Sequence, residues 1–364
     1  MFFRIIEFWR LLAALLVMAY HFLRYGPGDQ FEASHTLERL LPLMDMFFII
    51  SGFLILYRYG DTVLNWRGYR SFLVKRLARF YPLYLVTFGF FVAVGIAVHL
   101  NLVPTTQPER YDVDLLLQNL LLLQAWGTTE HLSFNYVTWS LSAEWFCYLL
   151  LPLYAFAIRI GGMKALAGLI AVSIVALEAA TRAGIIPFES WLKADTFGAY
   201  RAFVDFAIGG IIMLLVRDAG ITLRSHLWAW AGFALTATAM LMAWPSYLVL
   251  AILSVSILLA AVVEKNNPDG ARFLAPLSPV GRVSFGIYMW HPVVETVMLA
   301  VVWRFLVEPL GVIGFYQFWF VPMALSVLVA YLSDRYFEKP VGDRLTQIVG
   351  GRRRPAAAAA VPVS

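Results

Sequence analysis

Long apolar runs separated by short polar breaks divide this chain. Runs long enough to cross a bilayer as helices lie at residues 5–24, 41–57, 80–99, 137–158, 164–183, 198–216, 226–243, 245–263, 284–305 and 317–336. The seventh and eighth meet at Trp244-Pro245-Ser246 and are separate spans only if that turn breaks the helix. The longest break runs from Asn101 to Tyr136. Within it, Val113 to Trp126 is apolar but short, which predicts an interfacial or re-entrant helix rather than a span. No internal repeat of the kind found in secondary transporters is visible. The expected fold class is all-α, a polytopic membrane bundle of about ten transmembrane helices.

Composition and charge sharpen that picture. The 364 residues are 61% hydrophobic and 14% charged, with a mean hydropathy of +0.73, whereas soluble domains carry roughly 25% charged residues. The expected organisation is one membrane domain over residues 1–340. A cytoplasmic tail follows over 341–364, disordered from about residue 350, where three arginines precede an alanine run. The net charge of +5 does not point to nucleic acid, because the basic residues sit in short loops between apolar runs. Their distribution orients the chain. With the N-terminus in the cytoplasm, only Arg24, Arg39, Arg110, Arg182, Lys193, Arg201 and Arg304 fall on the far side, so both termini are expected inside. Cys147 is the only cysteine and forms no intramolecular disulfide. The first apolar run ends in His21-Phe22-Leu23-Arg24 rather than a small-residue cleavage site, and is read as retained.

The candidate chemistry starts in that first run. Arg10 and His21 are eleven residues apart, close to three helical turns, so both fall on one face roughly 16 Å apart along the axis. Intramembrane ionisable groups usually face a bundle interior or a wet cavity. In the second run, Asp45 enters from the His21 side and either pairs with a buried partner or stays wet at the span end. Ser51-Gly52 in mid-span reads best as a helix-packing pair.

Lys75, Arg76 and Arg79 follow in a short cytoplasmic loop. Arg76 and Arg79, three apart, project together on a helix as a two-pronged cationic site suited to phosphate. The plainer reading is ordinary positive-inside charge. Ser140, Glu144 and Tyr148 are spaced by four and share a polar face. A glutamate within a span costs about 2–3 kcal/mol to insert, so Glu144 is either an acid–base group or the partner of an arginine. Ser284, Tyr288, His291 and Glu295 form one stripe in the ninth run. His291 before Pro292 reads as a structural donor to a freed carbonyl or as a substrate-lining group. No P-loop, glycine-rich dinucleotide fingerprint, His-Glu-x-x-His or cysteine–histidine metal cluster is present, and no metal is expected.

Taken in order, these segments resemble the acyltransferase family 3 membrane proteins, which O-acylate carbohydrates. The matching pieces are Arg10 with His21, Phe47-Phe48-Ile49-Ile50-Ser51-Gly52-Phe53, Arg76 and Arg79 before Tyr81-Pro82, Trp139 to Tyr148 around Glu144, Ser284 to Pro292, and Glu338-Lys339-Pro340. They cover nearly the whole chain. The departures are mild: Glu7-Phe8-Trp9 stands where Asp-Gly-Leu is usual, and Ala143 where a larger hydrophobic residue is common. The chain is similar to the stand-alone type without a fused hydrolase-like domain.

The resemblance implies a bacterial inner-membrane enzyme with no permanently bound cofactor. The donor would be cytoplasmic acyl-coenzyme A, most often acetyl-coenzyme A, and the acceptor an envelope or exported carbohydrate hydroxyl. Arg76, Arg79 and Lys75 would hold donor phosphates, and Arg10 would continue the cationic path inward. His21 is the natural general base, oriented or charge-balanced by Glu144 or Asp45. Ser140, Tyr148, Ser284, Tyr288 and His291 would line the substrate path. A transporter of a glycan intermediate or small anion, a non-catalytic scaffold, and succinyl transfer to a periplasmic glucan are the alternatives.

Overall fold

The computed structural model describes residues 3–27, 31–105 and 107–350; the tail expected to be disordered lies outside them from residue 351. In chain order the helices are α1 (Arg4–Leu23), α2 (Phe31–Glu38), α3 (Leu43–Tyr59), α4 (Trp66–His99), α5 (Leu116–Leu120), α6 (Trp139–Leu149), α7 (Leu151–Arg182) and α8 (Gly198–Asp218). They continue with α9 (Leu227–Leu241), α10 (Ser246–Asn266), α11 (Ser278–Gly281), α12 (Ser284–Val294), α13 (Glu308–Leu310), α14 (Phe315–Ser333) and α15 (Lys339–Gly350). Wider π-helical turns extend α12 over Glu295–Val307 and α14 over Asp334–Glu338. No strand occurs among the described residues.

Among the described residues, seven helical runs are long and apolar enough to cross a membrane: α1, Ser34–Tyr59, α4, α7, α8, α10 and Phe315–Ile348. The other expected spans are modified rather than missing. The fourth is broken at Leu150, between α6 and α7. The fifth is the part of α7 beyond Gly162, whose φ of 55° interrupts the helix. The seventh is the shorter α9, separated from α10 by a turn through Ala243 at φ 53°. The ninth is α12 with its π-helical continuation.

The bundle is centred on α3 against α8. A Cβ on Gly52 would lie 2.5 Å from the Phe206 carbonyl oxygen, and one on Gly209 would lie 2.2 Å from that of Ile49. Only hydrogen fits at either position, and the two backbones touch. Gly52 is therefore a packing residue, as its pattern suggested. Around this pair the remaining helices bury Trp9, Phe48, Phe53, Tyr84, Tyr154 and Phe206 almost completely.

The start of α1 is fixed from α10. The buried Glu264 carboxylate accepts a 3.0 Å hydrogen bond from the Ile5 backbone N–H. It satisfies one of the amides that a helix start leaves without a partner. This cap sits about one and a half turns before Arg10 and anchors the start of its helix.

The short apolar segment 113–126 enters the bundle instead of lying on its surface. Its middle is buried at Asn119, Leu122, Gln124 and Ala125. Side chains from neighbouring helices satisfy its irregular backbone. Tyr84 Oη donates to the Asn119 carbonyl at 2.5 Å, and Ser142 Oγ donates to that of Leu122 at 2.7 Å. Non-helical backbone at membrane depth persists only when protein or water supplies such partners.

Candidate functional site

The charged residues of the sequence gather in two chambers. The first is a cavity of about 650 Å³ among α1, α3, α4 and α6, lined by Arg10, Ser51, Arg58, Arg76, Arg79, Glu144 and Tyr148. The i, i+4 stripe of α6 aims Glu144 and Tyr148 at it. The Ser51 hydroxyl donates to Glu144 Oε1 at 2.5 Å. Tyr148 stands beside the same carboxylate, which is also the leading counter-charge of Arg10. Arg10 lies 5.7 Å from the Phe47 ring, and its Nε is buried with no hydrogen-bond partner among the described residues. The Arg76 guanidinium sits 5.5 Å from both the Tyr59 and Phe72 rings and 5.6 Å from Tyr148. Aromatic faces attract a guanidinium and hold it without neutralising it.

A second cavity of about 610 Å³ adjoins the first, sharing Arg10, Arg58, Arg76, Arg79 and Phe285. Lys75, Arg282, Ser284, Glu7, Glu338 and Asp334 also line it, with Glu7 close to Arg282. Glu338 accepts from Ser333 Oγ at 2.8 Å, and Asp334 pairs with Lys339. Four arginines stand on the boundary that the two cavities share. Planar guanidinium groups with free donors suit phosphate oxygens.

His21 lines neither cavity. It lies roughly 16 Å farther along α1, in a second chamber of aromatic rings. Its ring centroid is 5.0 Å from Tyr20, 4.9 Å from Tyr136 and 5.4 Å from His291, the last nearly parallel at 23°. No hydrogen bond among the described residues occupies its ring nitrogens, which leaves both free for a substrate. Tyr136 Oη donates to Glu295 Oε2 at 2.8 Å. Arg110 lies 4.9 Å over the Tyr136 ring, and its Nη2 is buried without a partner. His291 is fully buried, beside the carbonyls of Ile287 and Tyr288 but outside hydrogen-bond geometry. The Tyr288 carbonyl is the one that Pro292 frees, so the expected acceptor stands beside the His291 ring.

Between the chambers, Ser140 Oγ lies 2.9 Å from Tyr288 Oη, which donates to the Val137 carbonyl at 2.7 Å. The Tyr288 ring lies 6.4 Å from Phe47 and 5.7 Å from His291. Tyr288 thus connects Arg10 to His21 through rings and hydroxyls.

Asp45 is the residue the structure removes from this set. It does not reach His21. It is ion-paired to Arg201 on α8, and Asp205 lies one turn further along that helix beside both. A carboxylate with so close a guanidinium keeps it rather than serving a histidine elsewhere. Glu144 does not reach His21 either; it belongs to the Arg10 cavity. The stripe from Ser284 to Glu295 is real but spans both chambers, with Ser284 at the arginine cavity and His291 at His21.

Several site residues escaped the sequence pattern. Ser51 looked like half of a packing pair, yet only Gly52 packs, and Ser51 points the opposite way into the cavity. Tyr136 and Arg110 lie in the long irregular break, where no periodicity assigns a direction. Glu295 did carry a signal, since it follows His291 by four on one helical face.

The family model described as "Acyltransferase domain" matches residues 3–335. The chain is 27% identical to "Acyltransferase MdmB" of Streptomyces mycarofaciens over 398 aligned positions, covering 98% of this chain and 94% of that one. It is 24% identical to "Nodulation protein 10" of Rhizobium leguminosarum bv. viciae over 377 positions, covering 94% of each. No solved structure matches.

Proposed function

This chain belongs to the acyltransferase family, and we propose that it moves an acyl group, acetyl in the first instance, from acyl-coenzyme A to a hydroxyl of an envelope or exported carbohydrate. The observation that carries this reading is the convergence of Arg10, Arg58, Arg76 and Arg79 on one polar cavity in an apolar bundle. That much positive charge at membrane depth calls for an anionic ligand. A coenzyme A donor brings phosphates for the arginines and a long uncharged arm for the path beyond Arg10. Lys75 and Arg282, on the outer cavity alone, meet the outermost phosphate. The thioester end reaches past Phe47 and Tyr288 toward His21.

His21 acts as the general base. A neutral imidazole with both nitrogens free of protein partners takes the proton from the acceptor hydroxyl as its oxygen attacks the thioester carbonyl. Coenzyme A leaves as the thiol, and the sugar ester forms. Glu144 balances Arg10 at the inner end of the donor path. This reading puts the protein in the bacterial inner membrane with the arginine cavities toward the cytoplasm, where acyl-coenzyme A is found. Every cation on the cavity edge comes from the set that charge bias assigns to that side.

Purified protein in nanodiscs, given radiolabelled acetyl-coenzyme A and a crude envelope-glycan extract, tests this reading. Wild type is expected to transfer label to glycan, and correctly inserted His21→Ala to bind donor without transferring. Full transfer by His21→Ala removes the base assignment. Failure of wild type to bind the donor returns the chain to the transporter reading.

A further inference from the structure

We infer that Glu295 is a positioning residue for His21, acting through Tyr136. This rests on His21 being the base. His21 has a free hydrogen-bonding edge but no hydrogen bond to hold its ring, so its orientation depends on the walls around it. His291 forms one wall, stacked nearly parallel. Tyr136 forms another, with its ring at 64° to the imidazole and 4.9 Å away. Tyr136 comes from a single 3-10 turn, Tyr136–Thr138, at the end of the long irregular break. One turn of backbone does not by itself fix an aromatic ring. The 2.8 Å bond from its hydroxyl to Glu295 on the π-helical start supplies the missing constraint.

Glu295 is 5% exposed and makes no salt bridge among the described residues. Arg110 is the nearest strong cation, yet it sits over the tyrosine ring, with its Nε donating to the Phe134 carbonyl at 3.2 Å. Tyr25 stands beside the carboxylate on the other side. A purely structural glutamate at this depth would close on the arginine as an ion pair. This one instead spends its lone pairs on tyrosine hydroxyls, one of which belongs to the ring against His21. The chain Glu295–Tyr136–His21 resembles the way outer groups fix a metal-ligating imidazole, where their removal typically costs about 10–100-fold. Here the link to the ring is packing rather than a hydrogen bond.

The test measures turnover and donor KM for Tyr136→Phe, Glu295→Gln and the double variant, beside wild type and His21→Ala, using radiolabelled acetyl-coenzyme A and envelope-glycan extract in nanodiscs. Tyr136→Phe keeps the ring and removes the tether. It is expected to lower kcat about tenfold with the donor KM unchanged within about twofold. The double variant is expected to be no worse than the poorer single, because Glu295→Gln replaces a charge-assisted bond by a weaker neutral one on the same link that Tyr136→Phe removes. Unchanged turnover in Tyr136→Phe, losses that multiply in the double variant, or a loss confined to donor KM would each overturn the inference. Glu295→Asp, whose shorter side chain falls away from Tyr136, replaces Glu295→Gln if the latter does not accumulate. An inactive His21→Ala with a normal Tyr136→Phe overturns the positioning role alone. An active His21→Ala overturns the base and the positioning role together.

Discussion

Ser51 on α3 and Glu144 on α6 share a hydrogen bond of 2.5 Å at the wall of the arginine cavity. The contact joins two helices whose polar residues are 93 positions apart in the chain, and it places a carboxylate opposite Arg10. The cavity therefore has a cationic edge and one anionic point. For the proposed anionic donor, this arrangement favours the edge over the Glu144 side and gives the site a direction. The Ser51 hydroxyl, with its proton committed to Glu144, offers the donor only its remaining lone pairs.

Glu144 and Ser51 should be unequal. Glu144→Gln keeps the shape and an acceptor for Ser51 but leaves Arg10 without its nearest counter-charge. Turnover is expected to fall at least about tenfold. Ser51→Ala removes one hydrogen bond from a carboxylate that keeps Tyr148 nearby, and a loss of about three- to tenfold is expected. Steady-state transfer assays at matched abundance check this ranking, and a worse defect in Ser51→Ala would reverse the roles.

The arginine edge predicts effects on donor binding rather than chemistry. Arg76→Ala and Arg79→Ala should each raise the donor KM about tenfold or more, since a charge-assisted hydrogen bond is worth about 1.5–3 kcal/mol. Lys75→Ala should do less, because Lys75 lines only the outer cavity. Arg76→Lys should not rescue fully, because a point charge lacks the planar contact with Tyr59, Phe72 and Tyr148. Titration with acetyl-coenzyme A and with 3′-dephospho-coenzyme A thioester separates the outer from the inner contacts. A donor KM unchanged by every substitution would leave the arginines a role in topology only.

How much of this was legible beforehand depended on the range of the contact. The helical spans, the shared face of Arg10 and His21, and the stripe of Ser140, Glu144 and Tyr148 follow from periodicity, which is local. The break inside the fourth span, at Leu150, is set by what the neighbouring helices require and leaves only a faint mark in an apolar run, whereas the one at Gly162 falls between the fourth and fifth runs, where the pattern puts it. Partnerships across the bundle were not legible at all. Asp45 and Arg201 are 156 residues apart, and the sequence showed Arg201 only as one of the far-side charges, at the start of the sixth run. Tyr136 and Glu295 are 159 apart, and nothing in either segment names the other.

The α3–α8 crossing should tolerate no added carbon. Gly52→Ala and Gly209→Ala each place a Cβ on backbone rather than on a flexible side chain. A cost of about 1–3 kcal/mol or more is expected from such overpacking. Gly89→Ala on α4 meets nothing within 4 Å and serves as the control. Thermal unfolding in detergent, followed by size-exclusion fluorescence, should show a clear drop for the first two and none for the third. Equal stability in all three would place the helices farther apart than described here.

The buried cluster of Asp45, Arg201 and Asp205 holds two carboxylates and one guanidinium, with exposures of 4%, 8% and 1%. Its response to substitution should be asymmetric. Asp45→Asn leaves Arg201 facing Asp205, so charge remains balanced and an amide still accepts a hydrogen bond. Abundance and turnover are expected to stay near wild type. Arg201→Met removes the only cation from between two carboxylates, and the loss should reach about 3–5 kcal/mol, enough to prevent accumulation. Arg201→Lys keeps the charge without the fork geometry and should fall between them. Asp45 began as a candidate partner for the catalytic base, and Asp45→Asn separates that role from scaffolding. If this variant accumulates normally but loses turnover, Asp45 works on the reaction. If it accumulates and transfers label as wild type does, its carboxylate serves only to keep Arg201 and α8 in place against α3.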